Sequence, residues 1–126
     1  MDKQIIYTKK APEPIGPYSQ AVKALGLLFI SGQIAIQPST NELITKDIKT
    51  ETEQVMNNLK AILTKSGLGF EHVIKTTIFL KDMSLFASVN EVYGKFFNAD
   101  FPARETVEVK GLPKDVNVEI SMIALA

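Results

Sequence analysis

The chain has 126 residues, 45% of them hydrophobic and 22% charged, with 14 basic and 14 acidic side chains and a formal net charge of zero. A chain of this length buries roughly two thirds of the surface its unfolded form exposes, enough for a core without staples. The charge balance speaks against nonspecific nucleic-acid binding through phosphate neutralisation. The absence of cysteine excludes disulfides, thiolate nucleophiles and cysteine metal sites.

The first residues, Met1-Asp2-Lys3-Gln4-Ile5-Ile6-Tyr7, have no long apolar stretch behind their charges, so no signal peptide is expected. No uninterrupted apolar run approaches the ~20 residues of a membrane helix. The expectation is a cytoplasmic protein that folds as one domain over residues 1–126. The patch Ala11-Pro12-Glu13-Pro14-Ile15-Gly16-Pro17 reads as a constrained extended loop, because proline lacks a backbone donor and restricts the residue before it.

Two strand-like runs follow, 18–23 and 27–36, joined by Ala24-Leu25-Gly26 as a hairpin. Gly32 inside the second run marks a bulge or a close backbone approach. Thr50 and Glu53 have capping-box spacing. Behind them Ile48, Val55, Met56, Leu59, Ile62 and Leu63 form one helical stripe, which Gly67 ends. Residues 73–81 form a β-branched strand. Ser84 is the expected cap of a second helix that buries Leu85, Phe86, Val89, Tyr93, Phe96 and Phe97 and stops before Pro102. Two last strands, 104–110 and 116–125, are expected to close the chain as a hairpin around Gly111-Leu112-Pro113-Lys114-Asp115. Hairpin, helix, strand, helix, hairpin describes an α+β domain with both helices on one face of a sheet.

Alternation places Arg104, Thr106 and Glu108 on one face of their strand, and Asn117, Glu119 and Ser121 on one face of the next. With the hairpin paired apolar face to apolar face, Thr106 falls near Glu119, and Arg104 falls opposite Ser121 and diagonal to Glu119. A guanidinium fork suits a carboxylate, and a neighbouring Glu can deprotonate water. From spacing alone the commoner reading is a cross-strand salt bridge on an exposed face, since surface ion pairs are common. Asn90 shares the second helix's inner face as a structural cap or as support for a pocket. His72 reads as structural or solvated, and Gly67-Leu68-Gly69 is too short and wrongly placed for a dinucleotide loop.

Gly16-Pro17-Tyr18-Ser19-Gln20, Ser31-Gly32-Gln33-Ile34, the stretches 57–63 and 73–79, Asn90-Glu91-Val92-Tyr93, Phe101-Pro102-Ala103-Arg104 and Leu112-Pro113-Lys114-Asp115-Val116 with Val118-Glu119-Ile120 occur in this order. Together they resemble the RidA (reactive intermediate deaminase, YjgF-like) family from about Ala11 to Ala124. The resemblance implies a chorismate-mutase-like α+β fold, a mixed sheet and a homotrimer with pockets between subunits. It also implies hydrolysis of 2-imino acids such as 2-iminobutanoate and 2-iminopropanoate, formed by PLP-dependent dehydratases, to 2-keto acids and ammonia without cofactor or metal. By motif, Arg104 would bind the substrate carboxylate with the backbone amide of Thr106, and Glu119 would activate water. Tyr18 and Ser31 would line the pocket, Gly32 would allow close approach and Asn90 would support the site.

The chain departs from the family pattern at Glu105, where Ser is usual, at Thr106, where Cys is frequent, and at Gly111. Glu105 matters most, since a carboxylate near the pocket would repel an acidic substrate. The alternatives are a non-catalytic trimer that binds small carboxylates or regulates a partner, and an RNA-cleaving or protein-holding protein. The zero net charge and the lack of a catalytic His motif speak against ribonuclease action.

Overall fold

The computed structural model describes residues 2–126. Strands β1 (Gln4–Ile6), β2 (Ala21–Ala24) and β3 (Leu27–Gln33) precede helix α1 (Ile48–Lys65) and strand β4 (Val73–Leu80). Helix α2 (Phe86–Gly94), β5 (Ala103–Glu108) and β6 (Val118–Leu125) complete the chain. The β2–β3 hairpin forms as expected: Leu25 and Gly26 both take positive φ, 54° and 73°, the geometry that matches strand twist in a two-residue loop. β1 is an additional edge strand that the alternation of so short a segment does not signal.

Helix α1 begins one turn earlier than its capping-box spacing suggests. Asp47, not Thr50, is the cap, and its carboxylate accepts from Thr50 N at 2.8 Å. At the other end Gly67 takes φ 74°, and Leu68 N and Gly67 N return to Leu63 O and Thr64 O, closing the helix as the glycine predicts. Likewise Asp82, not Ser84, caps the 3₁₀ turn that leads into α2, accepting from Ser84 N. In both cases an aspartate upstream competes successfully because its carboxylate reaches the orphan amides of the first turn.

Val55, Met56, Leu59, Ile62 and Leu63 of α1 are fully buried in one cluster with Leu28, Ile30, Ile78, Leu80, Ile120 and Met122 of the sheet. Each such side chain contributes about 1.5–3 kcal/mol by leaving water. Val89, Val92 and Tyr93 bury the inner side of α2. Phe86, expected on that buried side, is 39% exposed. The sheet's second face is not covered by helix, and Phe29 and Val107 there stay 41% and 43% exposed.

The sheet order is β1-β2-β3-β6-β4-β5. The hairpin expected between the last two strands does not form. β6 inserts between β3 and β4, antiparallel to both, and β5 pairs in parallel with β4 at the edge. The reason is burial. Val118, Ile120, Met122 and Ala124 are all within 2% of fully buried in the central position, whereas Ala103, Glu105, Val107 and Glu108 of β5 are exposed. The crossover through α2 is long enough to return β5 in the direction of β4.

Candidate active site

Two groups of candidate residues sit on opposite faces of the sheet. In β6, Glu119 lies beside Phe79 of β4 and points to the face without helices. Gly32 occupies the register shift of β3 between Ile30 and Gln33, so the bulge expected there is present. It is also a close approach: a Cβ at position 32 would come within 2.8 Å of Glu119 Cδ, so any side chain there would displace the carboxylate. The Glu119 carboxylate borders a cavity of ≈ 40 Å³ that Tyr18, Gln20, Gly32, Gln33 and Pro113 also line. Burial pushes the Glu119 carboxyl above the usual carboxylate value.

Hydrogen bonds fasten the walls of this cavity. Buried Gln20 accepts from Thr8 N at 2.8 Å and donates to Thr8 O, Ala11 O and Pro12 O, fixing the proline-rich loop. Tyr18 is 46% exposed, and its hydroxyl accepts from Ile15 N at 3.2 Å. Ser31 donates its hydroxyl to Ser19 O at 2.6 Å, so it fastens the Tyr18 loop to β3 instead of facing the cavity.

Arg104 lies beside Thr76 of β4, on the helix-covered face. Its guanidinium stacks over the rings of Tyr93 and Phe86, at 5.1 and 5.6 Å from their centroids. Tyr93 is held in turn by a 3.0 Å hydrogen bond from its hydroxyl to Thr76 Oγ1, and burial pushes its phenol up, which keeps that proton on. Arg104 shares a cavity of ≈ 280 Å³ with Asn90, Tyr93, Gly94, Phe101 and Pro102. Among the described residues the ion pairs are Lys49–Glu91, Lys75–Glu105 and Lys81–Asp115, so neither Arg104 nor Glu119 is neutralised within the chain.

The convergence of Arg104 and Glu119 on one face is therefore corrected, and with it the expected neighbourhood of Thr106 and Glu119. Each strand alternates as expected, but β4 stands between β5 and β6, and its pairing sets the two side chains on opposite faces. The cross-strand salt bridge is ruled out by the same register. Thr106 pairs with Ile78, and its buried hydroxyl has no hydrogen-bond partner. Glu105 points away from Arg104, as alternation predicts. It is tied to Lys75 at 3.1 Å and Thr77 at 3.0 Å, and Lys75 holds its carboxyl below the usual value. His72 accepts from Gly69 N through Nδ1, a structural role.

Several residues near these sites escape sequence reasoning. Buried Glu51 accepts from Asn117 and Val118, and buried Asn58 donates to Ile34 O and Ile36 O. Both lie on α1 beside the apolar stripe, and a polar residue flanking a stripe looks the same whether it meets water or a buried backbone. Among the described residues, no three His, Asp or Glu side chains gather around a possible metal position, and no helix is long and apolar enough to cross a membrane.

The profile of a family described as endoribonuclease L-PSP matches residues 8–126. The chain is 55% identical to a RutC family protein of Pyrococcus horikoshii, over 97% of both chains. It is 44% identical to the chloroplastic Reactive Intermediate Deaminase A of Arabidopsis thaliana, over 97% of this chain and 65% of that one. The structure of E. coli TdcF with bound serine superposes with a TM-score of 0.93 at 42% identity, covering 98% of each chain. With fold, motif order and these likenesses in agreement, the chain belongs to the RidA (reactive intermediate deaminase, YjgF-like) family.

Proposed function

We propose that the protein hydrolyses 2-imino acids such as 2-iminobutanoate and 2-iminopropanoate to 2-keto acids and ammonia, in sites assembled between copies of the chain in a homotrimer. One observation carries this reading. Arg104 and Glu119 are both without an ionic partner, yet they face away from each other across one sheet. A substrate of a few atoms reaches both only when Glu119 comes from a second copy. The Arabidopsis relative named as a reactive intermediate deaminase and the serine held by TdcF support a small amino-acid-like ligand.

In this arrangement Arg104, held flat by Tyr93 and Phe86, grips the substrate carboxylate with two charge-assisted hydrogen bonds, each worth about 1.5–3 kcal/mol. The amide of Thr106 assists, and Asn90 and Phe101 border the space beside it. The cavity at Glu119 suits a water or two. The water oxygen bonds to the carbon of the protonated imine, the C=N π pair moves to nitrogen, and Glu119 takes the water proton. Glu119 passes that proton to the amine and the C–N bond breaks. As the carbonyl forms, the remaining hydroxyl proton leaves by way of Glu119 to the departing ammonia. One protonated imine and one water yield one keto acid and one ammonium ion. A carboxyl with a raised pKa suits both halves of this proton exchange.

The test couples the protein to a threonine dehydratase and follows loss of trapped imine. Wild type accelerates the loss and Arg104→Ala abolishes the acceleration; near-wild-type rates in that variant would defeat the proposal. Saturable 2-ketobutyrate binding with no acceleration would leave a carboxylate-binding protein. Salt-sensitive RNA cleavage independent of Arg104 would instead favour the ribonuclease reading.

A further inference from the structure

Glu51, in the first turn of α1, is fully buried, and no Lys, Arg or His lies within 4.0 Å of it among the described residues. A buried carboxylate without a cation is costly unless donors surround it. Glu51 has three. Its Oε2 accepts from Asn117 N at 2.8 Å and Val118 N at 3.3 Å, and its Oε1 accepts from Asn117 Nδ2 at 2.7 Å.

These donors sit at one place, the entry to β6. On the β4 side this backbone is bound, with Lys81 N donating to Asn117 O and Leu80 beside Val118. β3 pairs with β6 only as far as the Gln33–Ile120 step. Before Ile120 the ladder gives β6 no strand on that side, and the Glu51 side chain supplies acceptors there.

Glu119 is the residue that follows Val118. Its carboxylate lies over Gly32, in space that a Cβ there would occupy, so its place depends on where the β6 backbone sets it. Pro113, which lines the cavity with Glu119, lies on the same short connection into β6. We infer that Glu51 is a positioning residue whose buried carboxylate fixes the start of β6 and so aims Glu119 into its cavity. The role in turnover rests on the proposed deaminase reading, whereas the aiming of Glu119 does not.

Glu51→Gln is the decisive variant, because its neutral carbonyl can still accept from the two backbone amides while Asn117 must turn its side-chain amide over to meet the new Nε2, so the charge-assisted bonds are weakened without loss of volume. In the whole protein, it keeps the wild-type circular dichroism and binds 2-ketobutyrate within about two-fold, since Arg104 is untouched. Its kcat falls about ten-fold, in line with the cost of a misplaced catalytic group. The midpoint of the Glu119 carboxyl resonance also moves in an NMR pH titration, with Glu13 and Tyr18 followed as the other titratable groups lining that cavity. Glu51→Ala leaves three donors unsatisfied, and its failure to fold would not affect the result from Glu51→Gln. A folded Glu51→Gln protein with an unchanged Glu119 titration overturns the inference, whatever the activity. A shifted titration in a protein whose wild type hydrolyses no imine upholds the aiming role and defeats the deaminase reading instead.

Discussion

Arg104 and Glu119 occupy opposite faces of one sheet, with β4 between the strands that carry them. Arg104 rests on the rings of α2, while Glu119 fills the space left by Gly32. Each half borders its own cavity, the larger at the guanidinium and the smaller at the carboxylate.

A site divided in this way can be restored by mixing defects. Arg104→Ala and Glu119→Gln are each expected to be inactive alone. If the proposed homotrimer with shared sites forms, about a quarter of the sites in random mixtures of the two receive an intact Arg104 from one copy and an intact Glu119 from its neighbour. Imine hydrolysis should recover toward that fraction. If mass spectrometry confirms mixed assemblies and no activity returns, the shared site is wrong.

In the proposed mechanism Glu119 links activity to stability with a definite sign. Burial raises its carboxyl above the ordinary 4.5, so the folded protein binds this proton more tightly than the unfolded chain does. Its contribution to stability is therefore present at low pH and is lost as pH rises from 4.5 through the raised folded value. Glu119→Gln should melt at a higher temperature than wild type at pH 7 and at nearly the same temperature at pH 3. Calorimetry at the two pH values checks this, and equal melting temperatures at pH 7 would contradict it. For turnover, the acid limb of kcat should lie above the usual carboxylate range.

Gly32 serves Glu119 through space, not through backbone conformation. In Gly32→Ala the new methyl group displaces the flexible Glu119 carboxylate, so the fold should survive. Turnover is expected to fall about 10²-fold, comparable to a 1 Å misplacement, with 2-ketobutyrate affinity retained. A variant with full activity would show that the carboxylate has freedom the structure does not indicate.

Thr106 carries a buried hydroxyl with no partner. Thr106→Val removes that unsatisfied group at nearly constant volume and is expected to be neutral or stabilising, by up to about 1–3 kcal/mol. Because the proposed role belongs to the backbone amide, kcat/KM should stay within about two-fold. Denaturant melts and the coupled assay read the two effects separately; a large loss of activity would assign the hydroxyl a role.

Much of the fold is legible along the chain because its signals are local. The stripe from Val55 to Leu63, the positive-φ glycines at 26 and 67 and the alternation of β6 all appear where they are expected. The cap positions at Asp47 and Asp82 are one turn or less from the expected residues, since several short polar side chains there can satisfy the same amides. The bonds of Glu51 and Asn58 to distant backbone were not legible, because their partners are 66 and 24 residues away in the chain.

The sequence alone determined which side chains each strand presents together: Arg104 with Thr106, and Glu119 with Ser121, since alternation is a property of the strand itself. It also carried the ordered motifs that identify the family. Only the tertiary structure decided which strands lie side by side. Burial of Val118, Ile120 and Met122 draws β6 into the centre of the sheet and leaves β5 at its edge. That nonlocal choice turned Arg104 and Glu119 away from each other, because pairing depends on the core as a whole and not on the two strands that meet in sequence.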